Sequence, residues 1–239
     1  MSENKEILYI HDFLPLTEVE GPGKRACIWL QGCSIRCKGC MAQHTWEINE
    51  GKPVSVDDLF ERISSNHEIE GLTVLGGEPM EQADALMPLL KKVKEKKLSI
   101  LLFTGYCLEQ LTNDSQKQIV ELCDVLIDGP YIKSLTDFSR PWIGSKNQQI
   151  HYLTDRYKHL NEQSIEKTSS IEVRISTNGK ISINGMLPEA LLESLQEELR
   201  VIDTTQTTPA APHASAANYL APRGRQYLQE LSKPSDFRV

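Results

Sequence analysis

The chain has no long apolar run, no excess of positive charge and too few cysteines for a disulfide scaffold, and each shortage removes a class of protein. Of its 239 residues 39% are hydrophobic and 25% charged, the balance of a soluble globular protein with no segment to span a bilayer. The net charge of −7 and a pI near 5.5 leave no general electrostatic footprint for nucleic acid, which is not an expected partner. The first residues, MSENKEILYIHDF, carry acids where a secretory signal needs bases and lack its apolar centre, so a cytoplasmic protein is expected. No internal repeat is visible. The length suffices for one large domain, or for a core with an appendage.

What is present is concentrated. Three of the six cysteines, Cys33, Cys37 and Cys40, fall within eight positions, a metal-site spacing for a reducing compartment. The run Ala26, Cys27, Ile28, Trp29 and Leu30 reads as a buried strand leading into that loop. Ser55 and Asp58 resemble a helix cap, followed by Val56, Leu59, Phe60 and Ile63 on one face. Strands are then expected at residues 72–75, 98–103 and 125–127, with helices at 82–97 and 115–122. Such alternation predicts a parallel sheet with crossover helices and a ligand at the C-terminal strand ends, where the cysteines, Gly76, Gly77, Gly105 and Asp128 all fall.

Beyond residue 155 the pattern changes. Ile171, Val173 and Ile175 alternate, Asn178 and Gly179 form a turn signal, and Ile181 and Ile183 alternate on the return, which predicts a hairpin. Pro188 opens an expected helix with Leu192, Leu195, Leu199 and Ile202 on one face. Residues 203–217 have almost nothing bulky to bury and read as a linker. The tail beyond holds Tyr219, Leu220, Tyr227, Leu228 and Leu231, either a tethered grip for a partner or an inert terminus.

Three thiolates on one loop can wrap an iron–sulfur cluster and leave one metal corner for a ligand. With His44, the spacing C-x3-C-x2-C-x3-H could instead close a tetrahedral zinc site in a binding module. The sequence Gly76, Gly77, Glu78, Pro79 admits two readings as well. Two glycines allow close backbone approach and Glu78 is an acceptor suited to an ammonium, or the segment is an ordinary turn with a solvated acid. Cys27, Cys107 and Cys123, in or beside apolar strands, read as small buried hydrophobes. Lys91 to Lys97 read as a solvated helix face, and Lys24, Arg25, Arg36 and Lys38 as a basic rim near the cluster loop, suited to an acidic electron donor.

The cysteine spacing and the GGEP turn together resemble the radical S-adenosylmethionine (SAM) superfamily. Glu20 to Arg25, Gln31 to Cys33, Lys38 to Cys40, Thr45 and Trp46, Phe103 to Tyr106, Asp124 to Pro130 and Gly144 to Gln148 further resemble the activases of glycyl radical enzymes, anaerobic ribonucleotide reductase type, from about residue 8 to 153. The resemblance implies a partial (β/α) barrel of radical SAM type over residues 1–153. A β-hairpin and helix extension over 154–202 and a linker and tail over 203–239 would follow it. It implies that Cys33, Cys37 and Cys40 hold a [4Fe-4S] cluster. SAM is then contacted by Gly39, Met41, Gly76, Gly77, Glu78, Pro79, Thr104 and Asp128. Reductive cleavage of SAM would give a 5'-deoxyadenosyl radical that generates a glycyl radical on a partner protein, with a flavodoxin or ferredoxin-type electron donor. A radical SAM enzyme for another peptide or small molecule is the alternative. Gly39 stands where many radical SAM enzymes carry an aromatic residue, and the lysine expected soon after Asp128 is first met at Lys133.

Overall fold

The computed structural model describes residues 6–162, 170–177, 181–186 and 194. The helix expected from Pro188, the linker and the tail therefore lie outside the described residues. The chain divides into two units, residues 1–170 and 171–239. In the first, β1 (Ile7–Thr17) pairs antiparallel with β2 (Arg25–Leu30). After the cysteine loop, β3 (Lys52–Ser55) pairs antiparallel with β1 and runs directly into α1 (Val56–Ser64). Then come β4 (Gly71–Gly76), α2 (Ala83–Glu95), β5 (Ser99–Phe103), α3 (Asp114–Leu122), β6 (Val125–Asp128), β7 (Gln149–Tyr152) and the short α4 (His159–Glu162). They make one seven-stranded sheet, ordered β3-β1-β2-β4-β5-β6-β7. Its central strands β2, β4, β5 and β6 are parallel, and β7 joins antiparallel.

The parallel strands are covered on both faces, which is why their sequences are apolar runs rather than alternations. Ile28, Leu72, Val74, Ile100, Leu102 and Leu126 pack with Leu59 and Ile63 of α1, Leu86, Leu90 and Val93 of α2 and Ile119 of α3. The intervening Leu101, Val125 and Ile127 pack with Trp142, Ile143 and Tyr157. Each such side chain contributes about 1.5–3 kcal/mol by leaving water.

The expected cap forms: Ser55 Oγ accepts from Asp58 N at 3.1 Å. α3 begins one residue before its expected start because Asn113 and Gln116 form a reciprocal cap, Oδ1 accepting from Gln116 N at 2.8 Å. The four-residue strands β3 and β7 carry too few residues to show a period, and the sequence reading missed them. Among the described residues no helix is long and apolar enough to cross a membrane. In the second unit β8 (Ile171–Ile175) and β9 (Ile181–Gly185) pair antiparallel, Val173 opposite Ile183. Asn178 and Gly179 lie outside the described residues.

The expected basic rim needs correction. Lys24 and Arg25 lie at the start of β2, about 16 Å of extended chain from Leu30 at the cysteine end. Arg25 is fully buried. Its guanidinium donates to Thr73 Oγ1 at 2.7 Å, Leu72 O at 2.7 Å, Ser99 Oγ at 2.8 Å and Pro22 O at 3.2 Å. Burial pulls its pKa below the ordinary arginine value. Lys24 pairs with Glu68 at 2.9 Å. Of the four residues only Arg36 and Lys38 belong to the cysteine loop, and Arg36 pairs with Glu47 at 3.0 Å.

Candidate cluster and cofactor site

The four parallel strands end along one edge of the sheet, and the loops that follow them meet there. The cysteine loop leaves β2 through Gly32, whose φ of 100° and N–H bond to Thr45 O at 2.7 Å turn the chain back on itself. Cys33 N donates to Trp46 O at 3.1 Å, so residues 45 and 46 close the base of the loop. Between them the chain has little regular structure. Arg36 and Gly39 take the left-handed backbone, at φ 49° and 81°, and Cys40 N donates to Cys37 O at 3.0 Å. Cys33 is buried, Cys37 and Cys40 half-buried, and all three are free thiols.

The donors around the sulfurs show what the loop suits. The backbone N–H groups of Ile35 and Arg36 bond to the Cys33 sulfur, and the Ala42 N–H and Trp46 indole bond to that of Cys40. N–H donors stabilise thiolates and are among the factors that tune cluster potentials. Burial nonetheless pushes both thiols up, and Cys37 and Cys33 add to the rise at Cys40, as charges gathered near one centre do. Among the described residues no three His, Cys, Asp or Glu side chains close to single-ion distance, and the His44 ring packs 4.6 Å from that of His11. A cube of irons takes each thiolate at a separate corner, so its cysteines stand wider apart than a zinc tetrahedron allows. The donor set fits a three-cysteine cluster.

The turn after β4 is bonded into this loop. Gly77 N donates to Leu30 O and Glu78 N to Gly32 O, both at 2.8 Å. Both glycines serve backbone approach, but to the cysteine strand and loop. A Cβ on Gly77 would lie 2.1 Å from Gly32 O, and one on Gly76, at φ 107°, 2.6 Å from Leu30 N and O. Pro79 is buried at the first position of a 3-10 turn, Pro79–Gln82, capped by Glu78.

Glu78 itself is 1% exposed. Its Oε1 accepts from Met80 N at 2.9 Å and Thr104 Oγ1 at 2.7 Å, and its Oε2 from Gly105 N at 2.7 Å. Of roughly four acceptor positions on a carboxylate, this leaves about one for an incoming ammonium. Burial outweighs the three donors and raises its carboxyl to about 7. A carboxyl raised in the folded state favours folding below its unfolded pKa of about 4.5, and that contribution is lost as pH climbs through 7. Urea unfolding of the cluster-free protein is therefore expected to show lower stability at pH 8 than at pH 5, and Glu78→Gln to flatten the dependence. Identical slopes in both proteins would count against a protonated Glu78.

The remaining expected residues divide. Thr104 is buried and bound to Glu78. Asp128 points to its own scaffold: Oδ2 accepts from Leu108 N at 2.7 Å, and Oδ1 lies 3.0 Å from His151 Nε2. Met41 is half-buried directly after Cys40. Gly39 leaves space that other residues fill, since a Cβ there would meet Lys133 Cδ at 3.0 Å and Tyr131 Cε1 at 3.6 Å. Lys133 and Tyr131 thus reach the cysteine loop from beyond β6. Their segment is held by the Gly144 to Gln148 block: Gln148 Oε1 accepts from Gly144 N at 2.9 Å, and Asn147 Nδ2 donates to Pro130 O at 2.7 Å. Cys27 and Cys123 are buried as expected, Cys123 with its thiol pushed up to about 12. Cys107 is only half-buried, on the loop after β5, which corrects its reading as a core residue.

The 4Fe-4S single cluster domain family matches residues 19–151. The anaerobic ribonucleoside-triphosphate reductase-activating protein of Escherichia coli K12 is 32% identical over 151 residues, 60% of this chain and 97% of that protein. Its namesake from Vibrio cholerae is 35% identical over 153 residues, with the same shares. Among solved structures, QueE from Escherichia coli aligns with a TM-score of 0.35 at 24% identity, over 41% of this chain and 53% of that one. The chain belongs to the 4Fe-4S single cluster domain family, among the anaerobic ribonucleoside-triphosphate reductase-activating proteins, and is a radical SAM enzyme with a [4Fe-4S] cluster and SAM as cofactors.

Proposed function

We propose that this chain cleaves SAM reductively and generates a glycyl radical on a partner, an anaerobic ribonucleotide reductase, in the cytoplasm. The observation that carries the reading is the bonded junction of the cysteine loop with the GGEP turn, Glu78 N to Gly32 O at 2.8 Å, in a chain matching relatives along 97% of their length. Cys33, Cys37 and Cys40 would hold the cluster, and the backbone of residues 76–79 with Glu78 would take the methionyl ammonium. Bound together and reduced by an external one-electron donor, the cofactors would supply the low-potential electron for carbon–sulfur cleavage and the radical chemistry that removes a hydrogen atom from a glycine α-carbon. The chain's own residues hold the reactants in register and keep water away. Thr104 and Gly105 fix Glu78, and Tyr131 and Lys133 wall the loop at Gly39. Arg36 and Lys38 would face a flavodoxin or ferredoxin-type donor.

The open sheet is read as a partial (β/α) barrel: its parallel order β2-β4-β5-β6 puts every proposed ligand at one edge. Residues 1–153 would form the catalytic core, 154–202 an extension and 203–239 a linker and tail.

A second reading rests on the β8–β9 hairpin, which lies beyond residues 19–151 matched by the family, because added structure can recruit a different hydrogen donor. Anaerobic reconstitution, dithionite reduction and addition of SAM are expected to yield 5'-deoxyadenosine and methionine. With the reductase present, a glycyl radical doublet is expected by electron paramagnetic resonance. Absence of 5'-deoxyadenosine would overturn the chemistry, whereas its formation without the doublet would favour the second reading.

A further inference from the structure

The Pro79–Gln82 turn carries a second carboxylate that no sequence motif marked. Glu81 is exposed, yet it is bound on several sides. Ser34 N donates to its Oε1 at 3.0 Å and its Oε2 at 3.2 Å, and Ser34 Oγ donates to Oε1. Tyr106 OH donates to the same Oε1 at 3.2 Å. Ser34 follows Cys33 directly, and Tyr106 lies on the loop after β5, two residues beyond Thr104. One side chain therefore joins the cysteine loop, the turn after β4 and the loop after β5. Glu78 ties the last two from within. Glu81 adds the cysteine loop through Ser34, on the solvent side.

An exposed ion pair gains little, because water competes and long side chains lose rotamer freedom. A carboxylate that accepts a backbone N–H and two hydroxyls gains more, since hydrogen bonds to a charged acceptor are about twice as strong as neutral ones. Those contacts also order the chain beside Cys33, where a backbone amide otherwise has no regular structure to bond into.

We propose that Glu81 is a positioning residue that latches the cysteine loop to the two cofactor-binding loops and sets the placement of Cys33. Its side chain acts through Ser34 and Tyr106. The proposal rests on the reading that Cys33, Cys37 and Cys40 hold the cluster. Amide exchange tests the latch apart from that reading, because it reports Ser34 whatever the thiols bind.

The experiment uses the full chain, reconstituted without oxygen, as wild type, Glu81→Ala, Glu81→Gln and Tyr106→Phe. Two rates are read, hydrogen exchange at the Ser34 amide and iron loss to a chelator, alongside the urea midpoint. In Glu81→Ala both rates are expected to rise about tenfold to a hundredfold, the range for losing a hydrogen bond to a charged group, with the urea midpoint unchanged. Glu81→Gln, which keeps an acceptor of the same shape, is expected to restore most of the exchange protection. Tyr106→Phe, which removes one hydroxyl and leaves the fold intact, is expected to raise iron loss a few-fold. Wild-type exchange at Ser34 in Glu81→Ala overturns the latch, as does a fall in the urea midpoint that accounts for both rates. Faster exchange with unchanged iron loss would leave Ser34 tied to Glu81 but overturn the placement of Cys33.

Discussion

Alanine at Cys33, Cys37 or Cys40, introduced one at a time, is expected to strip the protein of its iron, while alanine at Cys27 or Cys123 leaves the complement full. The contrast follows from position. Cys27 is fully buried within β2, away from the loop, and Cys123 is buried with a thiol raised to about 12, so Cys123 is not available as a thiolate at neutral pH. The loop sulfurs carry N–H donors already aimed at two of them. A three-thiolate site has no spare ligand, so losing one is expected to remove nearly all of the cluster rather than a fraction. Iron and sulfide analysis with visible absorbance after anaerobic reconstitution measures the outcome. A full iron complement in Cys37→Ala would reject the assignment of the three ligands.

Gly77→Ala is expected to abolish SAM binding and cluster retention together. The added methyl would sit 2.1 Å from Gly32 O, 2.8 Å from Gly32 C and 3.0 Å from Gly32 N. These are backbone atoms, which cannot swing aside as a side-chain tip can. Relief requires the turn and the cysteine loop to separate, which breaks Gly77 N to Leu30 O and Glu78 N to Gly32 O. The cost is about 1–3 kcal/mol of overpacking with about 0.5–1.5 kcal/mol for each bond lost. A folded remainder is still expected, because the apolar core lies below this edge. Calorimetric SAM binding and iron content in the same preparation check it. Iron retained while SAM binding is lost would show that the loop and the turn are independent, and unchanged SAM affinity would remove the turn from the site.

The sequence made the parallel strands legible because burial on both faces writes an apolar run, as at Leu72 to Leu75 and Val125 to Ile127. It also located the cysteines, because three thiols so close together have few other uses. The role of the glycine pair was harder to read. A glycine reports that some backbone comes close, without saying whose, and here Gly77 meets Gly32 of the same chain. Arg25 went astray for a related reason: charge predicts exposure until a strand start happens to face neutral acceptors such as Thr73 and Ser99. Glu81 left no signal, since its partners Ser34 and Tyr106 lie 47 and 25 positions away and only the fold brings them together. β3 and β7 escaped because four residues are too short to declare a period.

The buried guanidinium of Arg25 also makes the molecule mechanically lopsided. It cross-links β2, β4 and β5 at their starts and reaches Tyr157 OH at 3.4 Å, so bending the sheet there would strand a cation without acceptors in a dry interior. The base is clamped, and breathing motions are expected at the opposite rim, where loops are joined by scattered backbone and side-chain hydrogen bonds rather than by strand pairing. Opening at that rim is then a matter of loosening loop ties over a platform that does not flex.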